Sequence, residues 1–294
     1  MKQFALLAAF LVASACGSLG PAQAHTLSLA YKTGDTYRYA FHSATRQTVN
    51  MGGQTLPTQI DIKAAESVKV NSVDPNGTAD LTITFNNVAF KSEAAGITNT
   101  TTGLPADTMD LTIAADGTIS TVDGSPIEAS NPIAGFTGVG GGFFITAVLP
   151  NHPVKPGDTW SKTYDQTLPA SFINGGSHIT SASSYLRDES LNGVNAAVVE
   201  TKSSGTITIT GKPAAGSPDG GLNLQGTFTT DVTTWIDPSG HRVMKSHGTA
   251  HDDATIKFSG LQTAPARETG PSPLPALQGP LTSSGDSTTD LAPA

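Results

Sequence analysis

Residues 222–237, LNLQGTFTTDVTTWID, alternate apolar and polar positions along their whole length. Leu222, Leu224, Phe228, Val232 and Ile236 fall on one face, and Asn223, Gln225, Thr227, Thr229, Asp231 and Thr233 on the other. A period of two with β-branched residues predicts a half-buried strand and excludes a helix. TYRYAFHSATRQTVNM (36–51) repeats the pattern with Tyr37, Tyr39, Phe41, Val49 and Met51 on one face, and IDIKAAESVKV (60–70) does so with Ile60, Ile62, Ala64, Val68 and Val70. LTITF, MDLTI, TITITG and ATIKF are shorter runs of the same kind. Between them stand Asp74-Pro75-Asn76-Gly77, Asp116-Gly117, Asn192-Gly193 and Asp237-Pro238-Ser239-Gly240, pairs suited to tight hairpins because their central residues tolerate positive φ. Long, one-sided strands joined by hairpins predict a mostly β fold: a large curved antiparallel sheet or half-open barrel.

The pattern runs through the chain twice. YKTGDTY (31–37) and VKPGDTW (154–160) share Lys-x-Gly-Asp-Thr-aromatic, and their glycines stand 157 − 34 = 123 positions apart. Gly117 and Gly240 keep that offset, 240 − 117 = 123, while Gly77 and Gly193 are separated by 193 − 77 = 116, so a length change lies between. The order of parts predicts two related halves, 25–124 and 154–261, within one β domain at 25–261. Pro156-Gly157 suits a type II turn, with Pro presetting φ at its second position and Gly taking positive φ at its third. Asp158 is placed to accept hydrogen bonds from turn amides, and Trp160 and Tyr37 then open the core face. The repeated motif is therefore read as a structural turn entering a strand.

GDTY (34–37) and LPNHPVKPGDTW (149–160) resemble a family of exported bacterial proteins of unknown function whose midpoint reads Leu-Pro-x-x-Pro-Val-x-x-Gly-Asp-x-Trp. The matching positions are Leu149-Pro150, Pro153-Val154, Gly157-Asp158 and Trp160, and the resemblance covers most of residues 26–260. That family is similar in build to the periplasmic lipoprotein-carrier fold, a half-open antiparallel barrel whose concave face holds acyl chains under helical plugs. The resemblance implies such a scaffold and carries over no catalytic residue; fold likeness alone proves no function.

Residues 125–153, SPIEASNPIAGFTGVGGGFFITAVLPNHP, break the alternation. The stretch is apolar at Phe143, Phe144, Ile145, Val148 and Leu149 and glycine-rich at 138 and 140–142. No Gly-Lys-Ser/Thr follows, and no Gly-x-Gly-x-x-Gly sits between a strand and a helix, so neither a phosphate loop nor a dinucleotide fold is supported. An apolar plug, in part a short helix, is expected over the concave face, either as permanent core or as a lid on an apolar cavity.

Both ends read differently from the middle. Lys2, the apolar run Phe4–Ala15 and Pro21-Ala22-Gln23-Ala24 have the layout of a secretory signal peptide over residues 1–24, with a run too short to span a bilayer comfortably. Cleavage after Ala24 would release a soluble chain beginning at His25. Ala13-Ser14-Ala15-Cys16 instead resembles a lipobox, by which Cys16 would be lipidated and the chain held at a membrane. Both readings stay open, and both mean export. Residues 262–294 are rich in Pro, Ser and Thr with little periodicity, and are expected to form a disordered tail.

Composition removes several functions. Cys16 is the only cysteine, so no disulfide framework is possible. The net charge of −8 becomes 15 − 24 = −9 without Lys2, which leaves no basic footprint for nucleic acid. Aromatic residues make up 6%, too few for the interfacial girdles of an outer-membrane barrel. His241, His247 and His251 with Asp252 and Asp253 are the one dense cluster of ligand-type residues, but His247 and His251 on an extended strand lie about 13 Å apart, too far to share a tetrahedral ion. No Gly-x-Ser-x-Gly elbow is present. No enzyme activity, metal or cofactor is expected. The favoured expectation is an exported, non-enzymatic cell-envelope protein that binds or carries a lipid or acyl chain, with Phe143, Phe144, Ile145, Val148 and Leu149 covering the site and Tyr37, Tyr39, Phe41 and Trp160 lining it. The alternative is a structural or adhesive envelope protein with a closed core. The two differ in whether the concave face is hollow or filled.

Overall fold

The computed structural model describes residues 24–123, 146–169, 173–211, 221–259 and 280–294, and these contain no helix. Their strands are β1 (Thr36–Met51), β2 (Gln54–Val73), β3 (Ala79–Ala94), β4 (Ile97–Leu104), β5 (Asp107–Ile113), β6 (Ile119–Asp123), β7 (Thr159–Pro169), β8 (Ile173–Leu191), β9 (Val194–Gly211), β10 (Gly221–Asp237), β11 (Arg242–Ser259) and β12 (Leu281–Pro293). All belong to one 12-stranded sheet. Each half of the chain is a meander. β1–β2–β3–β5–β6 form the first, with β4 and β5 lying end to end along the same flank of β3. β7–β8–β9–β10–β11 form the second.

The repeated motif does the same work in both meanders. Asp35 N donates to Lys32 O and Asp158 N to Lys155 O, each at 3.0 Å, closing a turn whose third residue is a glycine with φ of +91° (Gly34) or +97° (Gly157). Those angles are the type II signature. Gly34 N then donates to Val70 O and Val70 N to Asp35 O; Gly157 N donates to Tyr185 O and Tyr185 N to Asp158 O. The turn thus hooks the start of each meander to its own second strand. Asp158 Oδ2 accepts from Lys155 N at 2.9 Å.

Apolar alternation is buried as the pattern requires. Tyr39, Phe41, Val49, Ile60, Ile62, Val68 and Val70 face inward, as do Leu224, Phe228, Val232 and Ile236. A large apolar cluster joins β1, β2, β3 and β5 to Leu27, Leu29, Leu149, Tyr185, Ile236 and Leu291. A smaller one, Ile207, Ile209, Leu224, Ile256 and Leu281, lies toward the other ends of β9–β12. The sheet is antiparallel except at one link: β6 and β7 meet in a single parallel pair, Thr121↔Thr167. With that link the pairings run in a circuit through every strand but β4, in a form that is not a regular barrel.

The thin β6–β7 joint is braced by the turn before β6. Leu29 N donates to Ala115 O and Leu149 N to Asp116 O, both at 2.7 Å. Lys162 of β7 forms an ion pair with the Asp116 carboxylate and also donates to Thr118 Oγ1 at 3.3 Å. Gly117, at φ +81°, sits so close to the strap at 146–150 that a Cβ would stand 2.2 Å from Ala147 O. The described part of the expected plug, 146–153, is therefore chain without regular structure that contacts this joint, with no helix.

The last residues correct one part of the expected disordered tail at 262–294. Leu281–Pro293 form β12, which lies between β1 and β11 and pairs with both, from Asn50↔Thr282 to Tyr39↔Pro293 on one side and from Ile256↔Leu281 to Ser246↔Leu291 on the other. The remainder of that expected tail, 262–279, lies outside the described residues. Composition misleads here because a strand paired on both edges satisfies its backbone from its neighbours, whatever its side chains. Only Leu281 and Leu291 need to be apolar, and both are buried. If β12 holds the circuit closed, Leu291→Ala, which removes a side chain 1% exposed, costs about 2–5 kcal/mol in urea unfolding; a loss below about 0.5 kcal/mol, the range of an exposed surface change, would show the strand undocked.

Candidate functional site

The residues expected to line and cover a concave site are brought together, as packing. Tyr39, Phe41 and Leu149 are members of the large apolar cluster, and Tyr37 and Trp160 pack against it. Phe41 meets Phe85 edge-on with ring centroids 5.1 Å apart. The Tyr39 hydroxyl donates to Val243 O at 2.8 Å, and Trp160 Nε1 donates to Val148 O at 2.8 Å. Tyr37 stands edge-on to Tyr31 and its hydroxyl reaches Asp35 at 3.4 Å. Val148 donates its N–H to Thr201 Oγ1 at 3.2 Å and borders a separate cavity. Phe143, Phe144, Ile145 and Cys16 lie outside the described residues.

That cavity sits in the middle of the second meander. Along β9 the inward positions run Val199, Thr201, Ser203, Gly205, Ile207 and Ile209; along β12 they run Leu281, Ser283, Gly285, Ser287, Thr289 and Leu291. Apolar ends bracket a belt of hydroxyls and glycines. The belt bonds to itself across strands: Ser181 to Ser203 at 2.8 Å, Ser183 to Thr201 at 2.8 Å, Ser246 to Thr234 at 3.0 Å, Thr289 to Ser43 at 3.3 Å, and Gln47 Nε2 to Ser283 Oγ at 2.6 Å. Phe228 fills the space above Gly205, where a Cβ would stand 2.8 Å from its Cζ. The hollows of about 560 and 590 Å³ on β8–β12 are shallow and open, bordered largely by exposed polar side chains such as Lys202, Asp231, Gln225 and Thr227, while the inward cavity at this belt is about 80 Å³, lined by Tyr164, Gln166, Thr201, Ser203, Thr230 and Val232 among others. Ligand pockets run to roughly 300–1,000 Å³. A space of this size with several hydroxyls suits a few ordered waters.

Two carboxylates point inward: Glu66, which the sequence reading passed over, and Asp252, which it grouped with the β11 histidines as a ligand-type residue. Glu66 lies in phase with Ile62, Ala64, Val68 and Val70 and is 1% exposed, with no hydrogen-bond partner for either carboxyl oxygen. Burial pushes its pKa up from 4.5 to about 8. Its neighbours in the sheet are Tyr39 on β1 and Phe85 on β3. Asp252, inward on β11 opposite Gly285, is pushed up to about 6, again by burial. The strand period gave the signal for both: each charged residue stands at an inward-facing position.

The outer face carries the histidines. His42 pairs with Asp61 at 2.8 Å, His178 with Asp165 at 2.7 Å, His247 with Asp290 at 2.7 Å and His251 with Asp286 at 2.8 Å, each across two adjacent strands. The His251 pKa is raised, chiefly by its hydrogen bond to Asp286. His241 instead meets Ser28 Oγ at 3.1 Å, on the N-terminal segment. Among the described residues no three His, Cys, Asp or Glu side chains gather as a metal site. No protein-family model matches this chain, and no curated protein matches it.

Glu66 makes stability depend on pH. The folded state keeps a proton that the unfolded chain releases above pH 4.5, so the stabilisation is full below that pH and is lost as pH rises through about 8. The shift corresponds to about 5 kcal/mol across that window. Urea unfolding of the protein and of Glu66→Gln at pH 5, 7 and 9 is expected to show the variant gaining on the parent by several kcal/mol toward pH 9; a difference independent of pH would remove Glu66 as the cause.

Proposed function

We propose that this is an exported, non-enzymatic protein of the cell envelope with a closed core, acting as a structural or adhesive module through its outer surface. The filling of the interior carries this reading. Tyr39, Phe41 and Leu149 belong to one packed cluster, and the separate cavity in the second meander is about 80 Å³ with a hydroxyl-rich wall. An acyl chain gains roughly 0.8 kcal/mol per buried CH₂ only where apolar walls replace water, and serines and threonines bonded to each other offer little of that. The leader-like N-terminus and the Leu-Pro-x-x-Pro-Val-x-x-Gly-Asp-x-Trp resemblance support the envelope as its place.

Carriage of a lipid or acyl chain is the second reading, and one observation favours it. Val148, Ile179, Phe228 and Val232 also border the cavity, and two apolar clusters flank it. Expansion of that space would give a hydrophobic ligand an entry.

Native mass spectrometry of the processed protein from a bacterial periplasm separates the two. The closed-core reading expects the bare chain mass, unchanged after incubation with phospholipid vesicles. A bound mass released by organic solvent would overturn it in favour of carriage and identify the ligand class.

A further inference from the structure

Among the described residues β4 is the one strand outside the circuit of pairings, and β3 is its sole strand neighbour. Its sequence is ITNTTTGL, exposed from Ile97 through Gly103 with Leu104 half-buried. Ile97 is 64% exposed, the most exposed large apolar side chain among the described residues. An open strand edge presents unpaired N–H and C=O groups, and proteins ordinarily blunt such edges with charges, prolines or inward-pointing lysines. Residues 97–104 contain none of these. β-branched residues at Ile97, Thr98, Thr100, Thr101 and Thr102 also favour an extended, pairing-ready backbone.

The register of that edge follows from the hairpin before it. Ala95 and Gly96 have φ of +51° and +78°, the signature of a two-residue type I′ turn, which makes Ala94 and Ile97 the closing pair. Backbone groups then alternate: those of Ile97, Asn99 and Thr101 point at β3, and those of Thr98, Thr100 and Thr102 point away. Pro105, which lacks an N–H, ends the run.

We propose that β4 is a self-association edge, pairing antiparallel with β4 of a second copy of this chain about a two-fold axis at Thr100. In that register Thr100 faces Thr100 of the second copy, Thr98 faces Thr102 and Asn99 faces Thr101, and the pairing stops at the bulge where Gly103 takes φ +68°. Each outward N–H meets a C=O, and the pairs are β-branched or polar without charge, the cross-strand combinations that stabilise a sheet. A second copy is the occupant because the edge is self-complementary: on a protein of net charge −8 this segment is uncharged, so two copies meet here without local repulsion. The symmetry is isologous and closes at two. One eight-residue edge is a small interface, so the dimer is weak and concentration-dependent. This inference is independent of whether the interior holds a ligand.

The test uses the full chain with Cys16, its only cysteine, changed to Ser. Thr100→Cys is compared with Thr227→Cys, which is exposed on β10, under mild oxidation on a non-reducing gel. Pairing raises the local concentration of the two introduced thiols, so the Thr100→Cys disulfide dimer is expected to form at least about tenfold faster than the control. Sedimentation across a concentration series is expected to show a dimer that Thr100→Lys abolishes, with circular dichroism unchanged because Thr100 is exposed. Equal crosslinking rates overturn the proposal. A dimer that survives Thr100→Lys overturns it as well, since the association would then lie elsewhere. A monomer at all concentrations that also fails to crosslink at Thr100 overturns it outright.

Discussion

A β-sheet with one buried face must satisfy the backbone groups along both of its outer edges, and this chain does so largely with its last strand. Without β12, β1 and β11 would each present a long row of unpaired N–H and C=O groups at the border of the core. With β12 between them the two meanders become one continuous surface, and the large apolar cluster can draw on Leu291 from β12 together with Phe41 from β1 and Ile236 from β10. The other join between the meanders is a single parallel pair, and there the protein relies on a strap, a glycine turn and the Lys162–Asp116 ion pair. One join is made by backbone pairing along a whole strand, the other by side chains and a few loop hydrogen bonds. Cooperativity between the halves should therefore follow β12 first, because it commits many backbone groups at once.

The interior follows from the same geometry. Glycines at Gly205, Gly226 and Gly285 and hydroxyls around them keep the inward face of β9–β12 thin, and a Cβ at Gly205 or Gly226 would stand 2.5 or 2.6 Å from a carbonyl oxygen of the adjacent strand. Buried hydroxyls cost free energy unless bonded, and these bond chiefly to one another across adjacent strands. The result is a core held at its ends by apolar clusters and in its middle by a polar belt that is largely bonded to itself, with Gln47 Oε1 and Ser177 Oγ left unpartnered. Glu66 departs furthest from that economy, an acid among apolar side chains with neither oxygen partnered. It remains tolerable because it is neutral at ordinary pH, and the nearby Tyr39 hydroxyl, whose pKa is itself raised by burial and by Glu66, also stays protonated.

Much of the fold was legible in the pattern of residues. Leu224, Phe228, Val232 and Ile236 are buried in the phase their alternation predicts, and Gly34 and Gly157 occupy equivalent turns. What was not legible depends on pairing between distant segments. LTSSGDSTTDLAP has the composition of an unstructured tail, and nothing local in it reveals that β1 and β11 both await a partner. The same applies to the site. Aromatic residues on a core face read alike whether they line a hollow or fill it, and only the approach of the strap at Ala147–Leu149 distinguishes the two. The hydroxyl belt was visible as Ser and Thr at inward positions, yet a period-two pattern built on apolar residues passes over them.

The outer face supplies what the thin inner face lacks, a device for register. A strand with only Leu281 and Leu291 as inward anchors could slide by two residues along β11 and keep most of its small side chains inside. The exposed ion pairs oppose that slip. His247 and His251 stand four residues apart on β11, and Asp290 and Asp286 stand four apart on β12, so both bonds form in one register and a two-residue shift breaks one or both. Each exposed pair contributes little alone, about 0–1 kcal/mol, but they act on the choice between two otherwise similar pairings, where a small difference decides. His251 binds its proton more tightly beside Asp286, so acidification through its raised pKa tightens the register on this side. Glu66 responds in the same direction from inside, since the protonated acid is the one the core accepts. A closing strand pinned by imidazoles outside and an acid kept neutral inside make the same prediction for the whole molecule: the closed form is favoured at mildly acidic pH and loosens as the solution turns alkaline.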